Sequence, residues 1–230
     1  DIIITLAYDQ IVPQGLLDIP KYGCLNLHGS LLPKYRGAAP IQFSLINNDK
    51  VTGMTLMEMT AKMDAGRMYA KKEVAISEED NTTSLFNKMG DAAKELILES
   101  LPLYIDGKLE GIPQDESLVT ICPTIKPEQE KIDLNMTKEE IYGWIRGLSD
   151  VPGAYLMLDD LKIKIFKSKI YNDEVKGQVG EIVQADKRGL VIQLKNGQLS
   201  ILELQKSGKN RMDYKSFING NQNILGKILK

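Results

Sequence analysis

Asn26 and His28 stand two residues apart in the segment Cys24-Leu-Asn-Leu-His-Gly-Ser-Leu-Leu-Pro-Lys-Tyr-Arg-Gly-Ala-Ala-Pro40. In a strand, residues two apart project to the same face, so a carboxamide and an imidazole leave this backbone together. They do so near the carboxyl end of the run, where open α/β sheets bind ligands. A carboxamide offers hydrogen-bond donors and an acceptor, and an imidazole gives or takes a proton near neutral pH, so the pair suits polarisation of a bound group coupled to proton movement. Gly29, Pro33, Gly37 and Pro40 break regular structure directly afterwards and leave a loop with Lys34, Tyr35 and Arg36 at its tip. His28 is the only histidine of the chain. A lone histidine is more often structural than catalytic, and by residue type alone both readings stand.

The elements that must carry this pair follow from the hydrophobic pattern. Ile2 to Ala7 is a continuous apolar run of the kind found in parallel strands covered on both faces. Such strands need neighbours joined by crossovers, so the pattern predicts that the chain is a fragment whose earlier βα units are not included. Tyr22 to His28, Met54 to Met59 and Met68 to Ile76 read as further strands. A helix begins after Asn81-Thr82 and runs through Leu85, Met89, Ala92, Leu96 and Leu101 to end before Gly107. The fold expected for residues 1–111 is therefore α/β and Rossmann-like, with a partial, mostly parallel sheet. Residues 112–130, with Pro113, Pro123 and Pro127 among charges, read as a linker.

Residues 131–230 change character. A helix over Thr137–Leu148 opens on a capping-box pair, Thr137 and Glu140. Five short strand-like runs follow, at 154–158, 161–170, 177–184, 190–194 and 199–204, with Asn196-Gly197 the strongest hairpin signal among the turns between them. That spacing predicts a small antiparallel barrel of the OB kind.

The chain has 230 residues, 43% hydrophobic and 26% charged, enough for a sizeable core and two domains. Cys24 and Cys122 are too few and too far apart for a disulfide framework or a four-ligand zinc site, which points to a reducing, cytoplasmic setting. No apolar run approaches the roughly 18 residues of a membrane span, so no membrane partner is expected. The net charge of −2 is unevenly spread: residues 71–130 hold 13 acidic and 6 basic side chains, whereas 205–230 hold 6 basic ones against Asp213 alone. That basic end predicts contact with an anion, with Lys206, Lys209, Arg211 and Lys215 as phosphate contacts, against the plainer reading of solvated lysines.

The run from Asn26 to Gln42, followed by Val51-Thr-Gly-Met-Thr-Leu56 and Met63-Asp64-Ala65-Gly66, resembles the hallmark of the folate-dependent formyltransferases. Lys126 to Asp133 and Trp144-Ile-Arg-Gly147 extend the resemblance over essentially the whole chain. In that family an Asn, a His and an Asp form the catalytic group, and motif position carries the roles onto Asn26, His28 and Asp64. The reaction so implied is attack of a primary amine on the formyl carbon of the co-substrate 10-formyltetrahydrofolate, with no metal. N–H groups of Asn26 and His28 would donate to the developing oxyanion, while Asp64 would orient the imidazole and relay a proton. For Asp64 the competing reading is a plain loop aspartate in the turn Asp64-Ala65-Gly66.

The resemblance also implies a folate site lined by Leu6, Tyr8, Gln10, Ile11 and Val12, by Ser30, Leu31, Leu32 and Pro33, and by Ala61, Lys62 and Met63. Leu6, Ile11 and Met63 would serve equally well as core. Arg36-Gly-Ala-Ala-Pro40 and Gln42 are in the style of those members that formylate initiator methionyl-tRNA, so Arg36, Gly37 and Gln42 join the expected substrate contacts, and the expected assembly is a monomer that does not bind DNA. Ser149-Asp-Val-Pro-Gly-Ala-Tyr155 stands where such relatives carry Asn-Pro-Trp-Pro and also resembles the hydrolase domain of 10-formyltetrahydrofolate dehydrogenase. That dehydrogenase domain, a sugar-amine formyltransferase and a non-catalytic OB-type RNA-binding fragment are the alternatives.

Overall fold

The computed structural model describes residues 1–8 and 12–230, which form two compact units. The first comprises residues 1–44, 49–80 and 84–124, and the second residues 45–48, 81–83 and 125–230.

In chain order, the first part of the sequence forms β1 (Ile3–Leu6), α1 (Gln14–Leu17), β2 (Cys24–His28), a two-residue β3 (Arg36–Gly37), α2 (Pro40–Ile46), β4 (Val51–Glu58), β5 (Met68–Ala75), α3 (Thr82–Ile105) and β6 (Ile121–Cys122). The main sheet has the order β1-β2-β4-β5. Only β1–β2 is parallel; β2–β4 and β4–β5 run antiparallel. The expectation of a mostly parallel sheet is thus corrected to a mixed one. The excursion through β3 and α2 starts at the carboxyl end of β2 and returns to that same end, so β4 runs back along β2, and the short 59–67 loop then makes β4 and β5 an antiparallel pair. β1 departs from expectation as well. Ile4 and Leu6 are 37% and 52% exposed, so the strand is not covered on both faces among the described residues.

β6 lies in the stretch read as linker, yet it pairs with β3, and Ile112 exchanges backbone hydrogen bonds with Met68. Residues up to Thr124 therefore group with the first unit. Prolines there interrupt regular structure without freeing the chain from the sheet edge.

The start of α3 is fixed by a buried carboxylate. Asp80 accepts from Ser77 N at 2.7 Å, Ser77 Oγ at 2.9 Å, Ser84 Oγ at 2.8 Å and Lys88 Nζ at 2.6 Å. Burial pushes this carboxyl up, but the Lys88 ammonium and the serine donors outweigh it and hold it at about 2, below its ordinary value near 3.8. A carboxyl depressed in the folded state adds stability that is present above the unfolded value and lost as pH falls. Asp80 should therefore contribute roughly 2 kcal/mol that disappears between about pH 4 and pH 2. Urea unfolding of Asp80→Asn should show that loss at pH 7 and a flatter acid limb than the parent.

The second unit holds α4 (Lys138–Leu148), β7 (Ala154–Leu158), β8 (Leu161–Asn172), β9 (Ile182–Asp186), β10 (Gly189–Leu194), β11 (Gly197–Lys206), β12 (Met212–Asp213) and α5 (Tyr214–Asn219). Thr137 and Glu140 form the capping box of α4 and turn Ile141, Ile145 and Leu148, all fully buried, onto one core with the inward residues of the strands. The sheet is antiparallel throughout, in the order β7-β8-β11-β10-β9, with β12 on β11. Its β10–β11 hairpin pairs Leu194 with Gly197, so the two-residue turn is Lys195-Asn196 and Gly197 opens β11, one residue away from the expected Asn196-Gly197 turn. No ladder joins β7 to β9 among the described residues, so the sheet is not a closed barrel. The terminal residues Ile228 and Leu229 bridge to Glu181 and Leu158 instead.

Candidate active site

Within the first unit, Asn26 and His28 leave one face of β2 and open onto a cavity of about 720 Å³. Register places Asn26 between Thr5 on β1 and Met57 on β4. The Thr5 hydroxyl donates to Asn26 Oδ1 at 2.9 Å, which leaves the Asn26 amide N–H groups free to donate into the cavity.

His28 is buried, and its Nε2 lies 2.8 Å from Tyr35 O. A carbonyl only accepts, so Nε2 carries the hydrogen and Nδ1 is the nitrogen that faces the cavity. Asp64 Oδ1 lies 3.6 Å from Nδ1, and Asp64 Oδ2 accepts from Gly37 N at 2.9 Å. An amide, an imidazole and a carboxylate from β2 and the distant 59–67 loop thus share one wall of one cavity. Any donation from Nδ1 to a bound oxygen requires the ring to carry its second proton, with Asp64 placed to balance that charge.

The β3–β6 ladder supports this wall. Gly37 stands at φ +122°, where a Cβ would lie 2.5 Å from Cys122 O, so only glycine fits there. The Cys122 thiol donates to Tyr35 O at 3.2 Å, sharing that carbonyl with His28. Burial pushes this thiol up to about 11, which leaves it protonated and unsuited to nucleophilic attack.

The expected folate contacts divide. Leu6, Tyr8, Val12, Ala61 and Met63 line the cavity; Gln10 and Ile11 lie outside the described residues. Ser30, Leu31, Leu32 and Pro33 are not part of the lining: Ser30 and Leu32 are fully buried, and Leu32 packs with Met57 and Met68. Lys62 turns to Glu116 at 3.2 Å and is not in the lining either.

Among the expected substrate contacts, Gly37 and Gln42 line the cavity. Arg36 does not reach it. It is 2% exposed, with Nε donating to Gln114 at 2.9 Å and a terminal nitrogen to Glu116 at 2.9 Å, an internal strut that holds the Glu116 carboxyl below its usual range. In the second unit, Lys206 donates to Asn221, and Arg211 pairs with Asp150 and Glu203 over the Phe166 ring. Lys209 and Lys215 are exposed. The sequence reading missed Thr5 and Cys122; the alignment of Thr5 beside Asn26 in a parallel β1–β2 pair was the one available signal. Among the described residues no group of three or more His, Cys, Asp or Glu side chains is placed to hold a metal, and no helix is long and apolar enough to cross a membrane.

Residues 1–101 match the formyl transferase family model and residues 124–222 the model of the formyl transferase C-terminal domain, so the chain belongs to the formyl transferase family. It is 44% identical over 220 residues to the methionyl-tRNA formyltransferase of Lactobacillus acidophilus, covering 96% of this chain and 70% of that protein. It is 43% identical over 230 residues to the methionyl-tRNA formyltransferase of Streptococcus pyogenes serotype M28, covering 72% of it. The crystal structure of HypX from Aquifex aeolicus in complex with tetrahydrofolic acid shares the fold, with a TM-score of 0.69 at 20% identity over 95% of this chain and 38% of that one.

Proposed function

We propose that the protein transfers the formyl group of 10-formyltetrahydrofolate to the amino group of methionine on initiator methionyl-tRNA. The convergence of Asn26, His28 and Asp64 on one cavity wall carries this reading, and the 43–44% identity to methionyl-tRNA formyltransferases favours this acceptor over an amino sugar.

The amine lone pair attacks the formyl carbon, and charge collects on the formyl oxygen. The Asn26 amide and His28 Nδ1–H donate to that oxygen. The proton lost by the amine passes to Asp64 directly or through water, and from there to the folate nitrogen as the carbon–nitrogen bond to the folate breaks, which returns Asp64 to its carboxylate form. The products are formyl-methionyl-tRNA and tetrahydrofolate. The apolar side chains Leu6, Val12 and Met63 suit a flat pterin.

The second unit is the OB-like, tRNA-holding module of this reading, in which Lys206, Lys209, Arg211 and Lys215 meet phosphates. Arg211 does so while it shares its charge with Asp150 and Glu203. The first unit, which reaches Thr124, carries the chemistry in this reading, and the protein acts as a cytoplasmic monomer without membrane or DNA partners.

Full-length protein given 10-formyltetrahydrofolate and either methionyl-tRNA or a nucleotide-linked amino sugar should formylate the tRNA and release tetrahydrofolate in equal amount. Transfer to the amino sugar alone would move the assignment to sugar formylation. Folate release without any formylated acceptor would move it to hydrolysis.

A further inference from the structure

The turn that carries Asp64 is held by a side chain outside the cavity lining. Asp64 stands at φ +51°, in the left-handed region, where a non-glycine residue persists only when its surroundings hold it. Two residues on, Gly66 lies so close to β4 that a Cβ would meet Glu58 O at 1.9 Å. The Gln114 carboxamide spans this turn. Its Nε2 donates to Asp64 O at 2.7 Å and to Gly66 O at 2.9 Å, and its Oε1 accepts from Arg36 Nε at 2.9 Å. The orientation has no workable alternative, because reversing the amide would set an NH2 group against a guanidinium and an oxygen against two carbonyls. Arg36 is itself fixed by Glu116, and its neighbour Gly37 donates to Asp64 Oδ2. The bonds close a ring in which Asp64 is held by its backbone through Gln114 and by its carboxylate through Gly37.

We infer that Gln114 is a positioning residue for the Asp64 carboxylate, holding it opposite His28 Nδ1 by clamping the 64–66 turn to Arg36. The inference rests on the formyl-transfer reading of the same site. Loss of the clamp leaves every group that touches substrate in place chemically but frees the turn to drift, and a displacement of about 1 Å in a reacting constellation costs up to about 100-fold in rate.

The test compares full-length wild type with Gln114→Ala and Gln114→Glu. Glutamate keeps the size and the acceptor for Arg36 but offers no donor to Asp64 O. Both variants should lose about 10-fold to 100-fold in kcat while KM for folate and for methionyl-tRNA stays within about twofold. The Gly37 amide, whose acceptor is the Asp64 carboxylate, should exchange its hydrogen at least about 10-fold faster in both variants, with α4 amides unchanged. A kcat of Gln114→Glu within twofold of wild type, a loss confined to KM, or unaltered Gly37 exchange would each overturn the inference. Absence of transfer by wild type would defeat the reading of the site, and Gly37 exchange would then decide the clamp by itself.

Discussion

Replacing His28 with alanine should lower kcat for formyl transfer by about 100-fold to 1,000-fold, the usual effect of removing one preorganised donor from an oxyanion site, equivalent to roughly 3–4 kcal/mol of transition-state stabilisation. The expectation follows from how tightly the ring is held. Its Nε2–H is committed to Tyr35 O, which also accepts the Cys122 thiol, so the imidazole cannot turn and Nδ1 has a single direction in which to act. Asn26→Ala should cost a similar factor. The double variant should cost less than the product of the two, because both groups serve the same oxygen. On the proposed reading the folate lies against cavity walls such as Leu6 and Met63, which both variants leave intact, so its affinity should move little in either. Single-turnover rates with saturating methionyl-tRNA measure the loss directly, and a His28→Ala enzyme working near the parent rate would remove the imidazole from the mechanism.

The pair Asn26 and His28 was legible in the sequence because a strand's period of two is strict: once β2 was read, both side chains had to share a face. Asp64 was reachable only through its motif, since nothing local in Met63-Asp-Ala-Gly66 says which strand end the loop will meet. The same gap explains Arg36. The Arg36-Gly-Ala-Ala-Pro40 run at a loop tip put it among the expected substrate contacts, yet its partners Gln114 and Glu116 lie 78 and 80 residues away, in a stretch whose prolines suggested a linker. Local composition reports backbone preference and says nothing of a two-residue ladder such as β3–β6.

The direction of β4 was hidden for a related reason. Hydrophobic patterns identify a strand but are blind to which way it runs, and the burial of β4 on both faces imitates the pattern of a parallel strand. In the second unit the signals were local and therefore readable: the Thr137/Glu140 capping box and the hairpin signal at Asn196-Gly197, which lies one residue from the actual Lys195-Asn196 turn, each act within a few residues. The partners of Arg211, one of them the distant Asp150, were beyond such signals.

Asp64→Asn should separate the position of that side chain from its chemistry. Asparagine keeps the size and retains an oxygen able to accept from Gly37 N, so the 64–66 turn and the thermal midpoint should stay close to the parent. What is lost is the charge opposite His28 Nδ1 and the capacity to receive a proton. Proton transfer by a positioned side chain is worth about 100-fold to 10,000-fold, so kcat should fall within that range while KM for both substrates stays nearly constant. Asp64→Ala should show the same kinetic loss together with faster exchange of the Gly37 amide, because its acceptor is then removed as well. If Asp64→Asn kept most of the parent kcat while Asp64→Ala lost it, the carboxylate would be acting as a hydrogen-bonded spacer for β3, and the proton would have to leave the amine by a route that bypasses residue 64.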